Sequence, residues 1–344
     1  MSYIDQVSLS SFRNFDVAKF NFKAGLNLIS GRNGSGKTSI LEALYVMSYG
    51  RSFRASILSS LIMSDAREAA IFVQSGGDDF GWSRSNRGEV KYHHNKKSKS
   101  AAELIGCFPP CLFIDASSHR VFSKQSIYRR QLLDWGVYHS CSDFGSTWNI
   151  YQRALKQRNA AIKSKRPLAE ITQWDETLVT QAEKIKAMRA DYMELLKLFF
   201  QKSVGLLSVS SMGPQLRISH GWTGNFDESL KDCINDDLRY GYTTIGPHRG
   251  RIDILINGVV AKDSASEGQQ KLLHYALRLA QAQYLYDLNK KKVVFLIDDI
   301  GAELDEVNQM ALINKYLSLG SQLIITNIIK PAWHDLVEKE HILD

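Results

Sequence analysis

Residues 31–38 read GRNGSGKT, and no other feature of the 344-residue chain restricts its fold as much. The segment follows a short apolar run, Leu26 to Ser30, and precedes Ile40, Leu41, Leu44, Tyr45 and Met47 at helical spacing, with Gly50 as a stop. Strand, glycine-rich turn and helix in that order make a phosphate-binding loop. Glycines let successive backbone N–H groups turn toward phosphate oxygens, and the helix N-terminus adds partial positive charge. Gly31, Arg32, Asn33, Gly34, Ser35, Gly36, Lys37 and Thr38 are therefore the expected nucleotide-binding residues. Lys37 is expected to reach the β- and γ-phosphates, and the Thr38 hydroxyl to ligate Mg²⁺.

Such a site needs a carboxylate at the end of a buried parallel strand, and VVFLIDD at 293–299 supplies one. Asp298 is the expected metal ligand. Asp299 is placed to orient or deprotonate the attacking water, which makes Lys37, Asp298 and Asp299 the expected catalytic set. Taken alone, an Asp pair after an apolar strand also reads as a helix N-cap. SASEGQQK at 264–271 leads into a helix, so Ser266, Gly268 and Gln269 sit at a second helix N-terminus able to meet an anion. One phosphate loop is already present, so this second end would face a partner's nucleotide; an ordinary cap is the alternative.

The rest of the chain reads as α/β interrupted by helix. Tyr3 to Leu9 and much of 71–114 carry strand patterns, with turns at Gly76-Gly77 and Asn86-Arg87-Gly88. Between about 120 and 205 the periodicity is helical: Trp148, Tyr151 and Leu155, then Trp174, Leu178, Ala182 and Ile185. Strands return at Leu216 to His220 and Ile252 to Ile256, then a helix near Glu267 to Leu288, strand Val293 to Ile297, a helix from Glu306 and strand Leu323 to Thr326. The expected organisation is a discontinuous α/β head, 1–118 and 210–344, around an all-helical arm, 119–209.

Lys and Arg total 43 against 36 Asp and Glu, a net +7 that favours a polyanionic partner. No apolar run approaches the ~20 residues of a membrane span, and the N-terminus lacks a secretory pattern, so a cytoplasmic protein without a membrane role is expected. Four cysteines are too scattered for a disulfide or zinc framework, and Cys107 and Cys111 read as core residues. Nucleic-acid contacts are sought at Lys91, Lys96, Lys97 and Lys99, a basic stretch poor in aromatics, and on the arm at Arg129, Arg130, Lys156, Arg158, Lys163, Lys165 and Arg166. Arg51 and Arg54 lie near the nucleotide site. Each group also reads as a solvated face. No base reader is visible, so binding through phosphates, neutral to sequence, is expected.

The combination resembles the ABC-type ATPase heads of the SMC and Rad50 class, and within it the RecF family of recombination mediators. The resemblance runs through LSSFRNF (9–15), GRNGSGKTSILEALY (31–45), GRSFR (50–54), RRQLLDWGVYH (129–139), ALKQRNAAI (154–162), GPHRG (246–250), SEGQQKLLHYALRLAQ (266–281) and LIDDIGAELD (296–305). It implies a P-loop ATPase head with a short helical lever arm, ATP and Mg²⁺ as cofactors, and an ATP-dependent homodimer. In that dimer Ser266 and Gly268 would cap the other head's nucleotide and Asp305 would cross the seam. It further implies slow DNA-dependent hydrolysis, binding at gapped or single-strand/double-strand junction DNA, and action with RecR and RecO in loading RecA during replication, recombination, repair and the SOS response. Departures are ASEGQ for the usual LSGGQ signature, Thr326-Asn327 where many heads carry a switch histidine, Gly250 where RecF-like chains carry an acid, and IDASSHR at 114–120 in the glutamine-loop region. A transporter subunit, a small-molecule kinase and an ATP-binding DNA scaffold without important hydrolysis are the rival readings.

Overall fold

Parallel strands buried on both faces read as unbroken apolar runs. In the computed structural model, which describes residues 3–115, 126–302, 304–328 and 330–343, four largely apolar strands and the polar, partly exposed edge strand Lys339–Leu343 form one parallel sheet. Its order is Lys339–Leu343, Leu26–Gly31, Gln322–Asn327, Val294–Asp298, Cys111–Ile114. Register pairs Asp298 with Thr326 and Thr326 with Ile29, so the three central strands end side by side. In open α/β sheets ligands bind outside these carboxyl ends. The helix Lys37–Tyr49 leaves the sheet there and stops at Gly50, whose φ of 67° only glycine adopts freely and whose N–H reaches the Val46 carbonyl.

An antiparallel sheet of six strands, including Ile4–Phe12, Glu68–Ser75 and Asp78–Ser85, packs with this helix around Phe12, Leu41, Leu44, Val73 and Trp82. Each such side chain contributes about 1.5–3 kcal/mol by leaving water. Buried amides fix the join: Gln322 exchanges two hydrogen bonds with the Ile4 backbone at 2.8 Å, and Asn27 donates to the carbonyls of Lys23, Gly25 and Leu323. Cys111 is buried here as expected, but Cys107 is exposed, because the helix Ala101–Cys107 turns only Leu104 fully into the core.

Chain packing separates two compact units, 1–118 with 285–344 and 119–284. Residues 210–284, expected with the head, thus group with the helical insertion. Their strands Gln215–Ser219 and Arg251–Ile256 make a separate small sheet with Val259–Val260, packed on the helices Ser126–Ser140 and Asp175–Val204. Among the described residues no helix is long and apolar enough to cross a membrane.

The second unit is held by a buried polar network. Arg158, fully buried, donates to Asp175 at 2.8 Å, Asp237 at 2.6 Å and Thr243 at 2.8 Å. Arg189, also fully buried, donates to Asp134 at 2.7 and 2.9 Å and to the Pro247 carbonyl at 3.0 Å. Arg158 therefore faces inward, not the solvent of a DNA surface. A side chain at Gly250 would run into the Arg189 guanidinium, so the place of the expected acid is already filled. His248 completes the network: the Tyr151 hydroxyl donates to its Nδ1 at 2.7 Å, and its Nε2 donates to the Thr243 carbonyl at 3.0 Å. That pairing suits a neutral imidazole.

Burial, with Arg249 and Arg130 adding to it, holds His248 down at about 4, against an ordinary 6.5. As pH falls through 6.5 the unfolded chain takes up a proton that the folded one refuses until about 4. Stability from this residue is therefore complete above 6.5 and is lost as pH drops toward 4. The loss is expected to reach about 3 kcal/mol. Urea midpoints for wild type and His248→Gln, compared at neutral and mildly acidic pH, should show the wild type falling further.

Candidate functional site

The phosphate loop takes its shape from backbone conformation. Gly31, Gly34 and Gly36 have φ of 149°, 86° and 105°, values that a side chain disfavours. Gly36 also packs against the Phe15 ring and the Asn14 amide, where any Cβ would collide. Lys37, at the first turn of its helix, donates to the carbonyls of Gly31 at 2.7 Å and Arg32 at 2.8 Å. The Thr38 hydroxyl lies 3.1 and 3.0 Å from the two carboxylate oxygens of Asp298. The sheet thus brings together the two sequence motifs predicted to share a site.

Thr326, noted from sequence only as a departure, is central here. Its hydroxyl donates to Asp298 Oδ1 at 2.6 Å and accepts the Asp299 N–H at 3.0 Å, and its carbonyl accepts the same N–H at 3.1 Å. One threonine therefore holds the Asp298 carboxylate and the Asp299 main chain. Asp299 sits at φ 58°, a left-handed conformation that Asp and Asn tolerate better than most residues. Burial, then the neighbouring Asp298 charge, raises its carboxyl above the ordinary value, with Lys37 opposing. A raised carboxyl is a stronger proton acceptor once ionised.

These residues line a cleft of about 520 Å³. Asn33, Gly34, Gly36, Lys37, Thr38, Asp298 and Asp299 line it together with Arg13, Asn14, Arg54, Ser60, Ile62 and Ser64. Gly31 and Arg32 instead border a neighbouring hollow, and Ser35 offers its carbonyl to Asn14 at 3.4 Å. Arg13 and Asn14 carried no local signal beyond their place in FRNF. Among the described residues no group of three or more His, Cys, Asp or Glu could hold a metal by itself. The hard oxygens of Thr38 and Asp298 suit Mg²⁺, which protein sites bind through one or two such ligands together with phosphates.

Ser266, Gly268 and Gln269 lie in the other unit. Ser266 caps the helix Glu267–Asn289: its Oγ accepts the Gln269 N–H at 3.3 Å, and Gln269 Oε1 accepts the Ser266 N–H at 2.9 Å. Among the described residues nothing lies within 4 Å of a Cβ placed at Gly268. Asp305 caps the helix Glu306–Ser318 through the Asn308 N–H at 2.8 Å, a bond that lowers its carboxyl. Residues 116–120 of the 114–120 segment lie outside the described residues.

Of the expected DNA contacts, Lys91, Lys96 and Lys97 are exposed on the hairpin Val90–His94 and Lys97–Lys99, while Lys99 pairs with Glu103 at 3.3 Å. Lysines at a sheet edge also prevent strand pairing with other chains. Arg129 and Arg130 are only 13% and 17% exposed and are engaged by Asp253 and by the His248 carbonyl and Asp134.

A model of the RecF/RecN/SMC N-terminal domain matches residues 3–341. The DNA replication and repair protein RecF of Teredinibacter turnerae is 35% identical over 357 residues, spanning 99% of this chain and 94% of its own. Its counterpart in Hydrogenovibrio crunogenus is 36% identical over 335 residues, or 95% and 92%. Among solved structures, the recombination mediator protein RecF-ATPrS in the RecFOR pathway gives a TM-score of 0.84 at 26% identity, covering 99% of this chain and 97% of that one. An SMC head from Pyrococcus furiosus shares the fold at 19% identity, with a TM-score of 0.58 over 96% and 90% of the two chains.

Thr326→Val keeps the volume but removes the hydroxyl between the two acids. It should weaken Mg²⁺-dependent ATP binding about tenfold, while Thr326→Ser stays within about twofold, as titration calorimetry would read.

Proposed function

The chain belongs to the RecF/RecN/SMC N-terminal domain family, and to RecF within it, and on that footing we propose that it is an ATP-controlled DNA clamp. In this reading ATP closes a homodimer, closure creates the DNA surface, and slow hydrolysis releases it. The observation that carries it is the meeting of Lys37, Thr38, Asp298 and Asp299 around one cleft. RecF structures with ATP and ATPrS, each 26% identical to this chain, support the choice of nucleotide.

Each residue then has a task. The N–H groups of the loop and the helix N-terminus receive phosphate oxygens. Lys37 exchanges two neutral carbonyls for charged phosphoryl oxygens, giving hydrogen bonds roughly twice as strong. Thr38 and Asp298 would hold Mg²⁺, which when bound neutralises charge on the β- and γ-phosphates. Asp299, whose carboxyl is raised by burial and by Asp298, orients the attacking water and takes its proton. Ser266, Gly268 and Gln269 cap the nucleotide of the second copy from their helix end, and Asp305 lies at the seam. The exposed Lys91, Lys96 and Lys97 hold DNA phosphates without regard to sequence. The work is replication and recombinational repair at gapped or junction DNA, in the cytoplasm, with RecR and RecO as partners in RecA loading.

Sedimentation velocity with Mg²⁺ and ATP, with and without a gapped duplex, tests the reading on wild type and Ser266→Arg. An ATP-dependent dimer that the substitution abolishes, with DNA binding lost alongside, is expected. A protein that stays monomeric, or a dimer indifferent to Ser266, sinks the clamp and leaves an ATP-binding scaffold.

A further inference from the structure

In the second unit one buried acid gathers more positive charge than it can balance. Asp253, 2% exposed, lies within ion-pair distance of Arg129 at 3.1 Å, Arg251 at 3.2 Å and Arg217 at 3.7 Å. Strand register sets Arg217 opposite Asp253 and Arg251 opposite Ser219, so Arg217, Arg251 and Asp253 share one face of the small sheet. Three guanidinium groups on one carboxylate leave two charges in excess, and Arg251 and Arg217 are 36% and 52% exposed. Arg251 also lines a hollow of about 450 Å³ with Arg249, Trp222 and Ile245, where Asp232 is the carboxylate facing them. Its rim is fixed: the Gly246 N–H donates to the Gly221 carbonyl at 3.1 Å, and a side chain at Gly221 would run into the Gly246 carbonyl. Arg249 leads out of the hollow to an exposed ladder of rings. Its guanidinium lies 5.1 Å from the Tyr242 ring, Tyr242 lies 6.2 Å from Tyr240, and Arg239 lies over Tyr240 at 5.6 Å. The tyrosines are 41% and 55% exposed. Of the acids in the adjoining helices, Asp237 is buried on Arg158 and Asp227 pairs with Lys231, which leaves Glu228, Asp232 and Asp236 against the arginines.

Arginine and tyrosine also anchor protein interfaces, but there they fill desolvated pockets, whereas here exposed rings stand beside unbalanced positive charge. Aromatic rings take the flat face of an unpaired base, and guanidinium groups pair with phosphate oxygens or stack themselves. A duplex hides its base faces, so the ligand that uses both features is a single strand. We infer that Arg217, Arg249 and Arg251, with Tyr240 and Tyr242, form a binding site for single-stranded nucleic acid. The rings stack on bases and the arginines meet phosphodiesters, without regard to sequence. Asp253 aims two of the arginines, and Arg249 joins the hollow to the ladder. The site goes beyond the clamp reading: it lies within one unit of one chain and calls for neither ATP nor a second copy, while the lysine hairpin belongs to the other unit.

The test is fluorescence anisotropy of the full chain with a labelled oligothymidylate and with a blunt duplex of the same length, both without ATP. Wild type should bind the single strand; Tyr242→Ala should weaken it about tenfold and leave the duplex within about twofold. Tyr242→Phe keeps the ring and should stay within about twofold of wild type. Arg249→Ala should weaken the single strand and lower the slope of its salt dependence by about 0.7, the share of one phosphate contact. Tyr240→Ala, with the same selectivity expected, stands in if Tyr242→Ala does not fold. Equal losses for single strand and duplex would overturn the inference, as would no loss in either alanine variant or a Tyr242→Phe variant as weak as Tyr242→Ala. A wild type that binds duplex alone overturns it too, and so does thymidine monophosphate competing as well per mole as the oligomer, which would make the hollow a site for a lone nucleotide. Because ATP is left out, failure of the clamp and failure of this site are read in separate experiments.

Discussion

The hydroxyl of Thr38 and the carboxylate of Asp298 meet across 260 positions of sequence, and the site depends on that contact. It exists only where the strands Leu26–Gly31, Gln322–Asn327 and Val294–Asp298 lie in their observed register, because a one-residue slip would turn Asp298 and Thr326 to the opposite face. Each parallel pairing needs a long crossover, so the site cannot be assembled from local segments. Everything placed around the cleft, from the Gly36 contact with Phe15 to the Asp299 turn, follows once that sheet is closed.

What sequence alone revealed was local in character. GRNGSGKT and VVFLIDD carry their meaning in consecutive residues, and the elements around them fall within a residue or two of their expected limits. Thr326 and Arg13 were illegible because nothing in their immediate neighbours distinguishes them; their places at the cleft come from register and packing. Arg129, Arg130 and Arg158 show a different limit of the sequence. A basic residue at helical spacing looks the same whether it meets water or a buried acid, and the acids that engage Arg129, Arg130 and Arg158 sit at Asp253, Asp134 and Asp237.

Three of the family-like segments, all in the second unit, find a common explanation in packing. RRQLLDWG supplies Arg130 and Asp134, LKQRNAA supplies Arg158 and Asn159, and GPHRG supplies the Pro247 and His248 carbonyls. All join one buried network in the second unit. Removing a single member would leave a charge or a carbonyl stranded away from water, which costs more than the bond itself contributed. Within these segments each polar group thus has several protein partners to satisfy.

The left-handed backbone at Asp299 bears on how this protein can evolve. Position 299 admits Asp, Asn or Gly with little strain, whereas glutamate has no comparable local compensation for a positive φ. The direction in which this carboxylate enters the cleft is thus set by the main chain. Asparagine fits the same turn, so a folded chain that lacks the carboxylate at this edge of the cleft lies one substitution away with almost no structural barrier between the two.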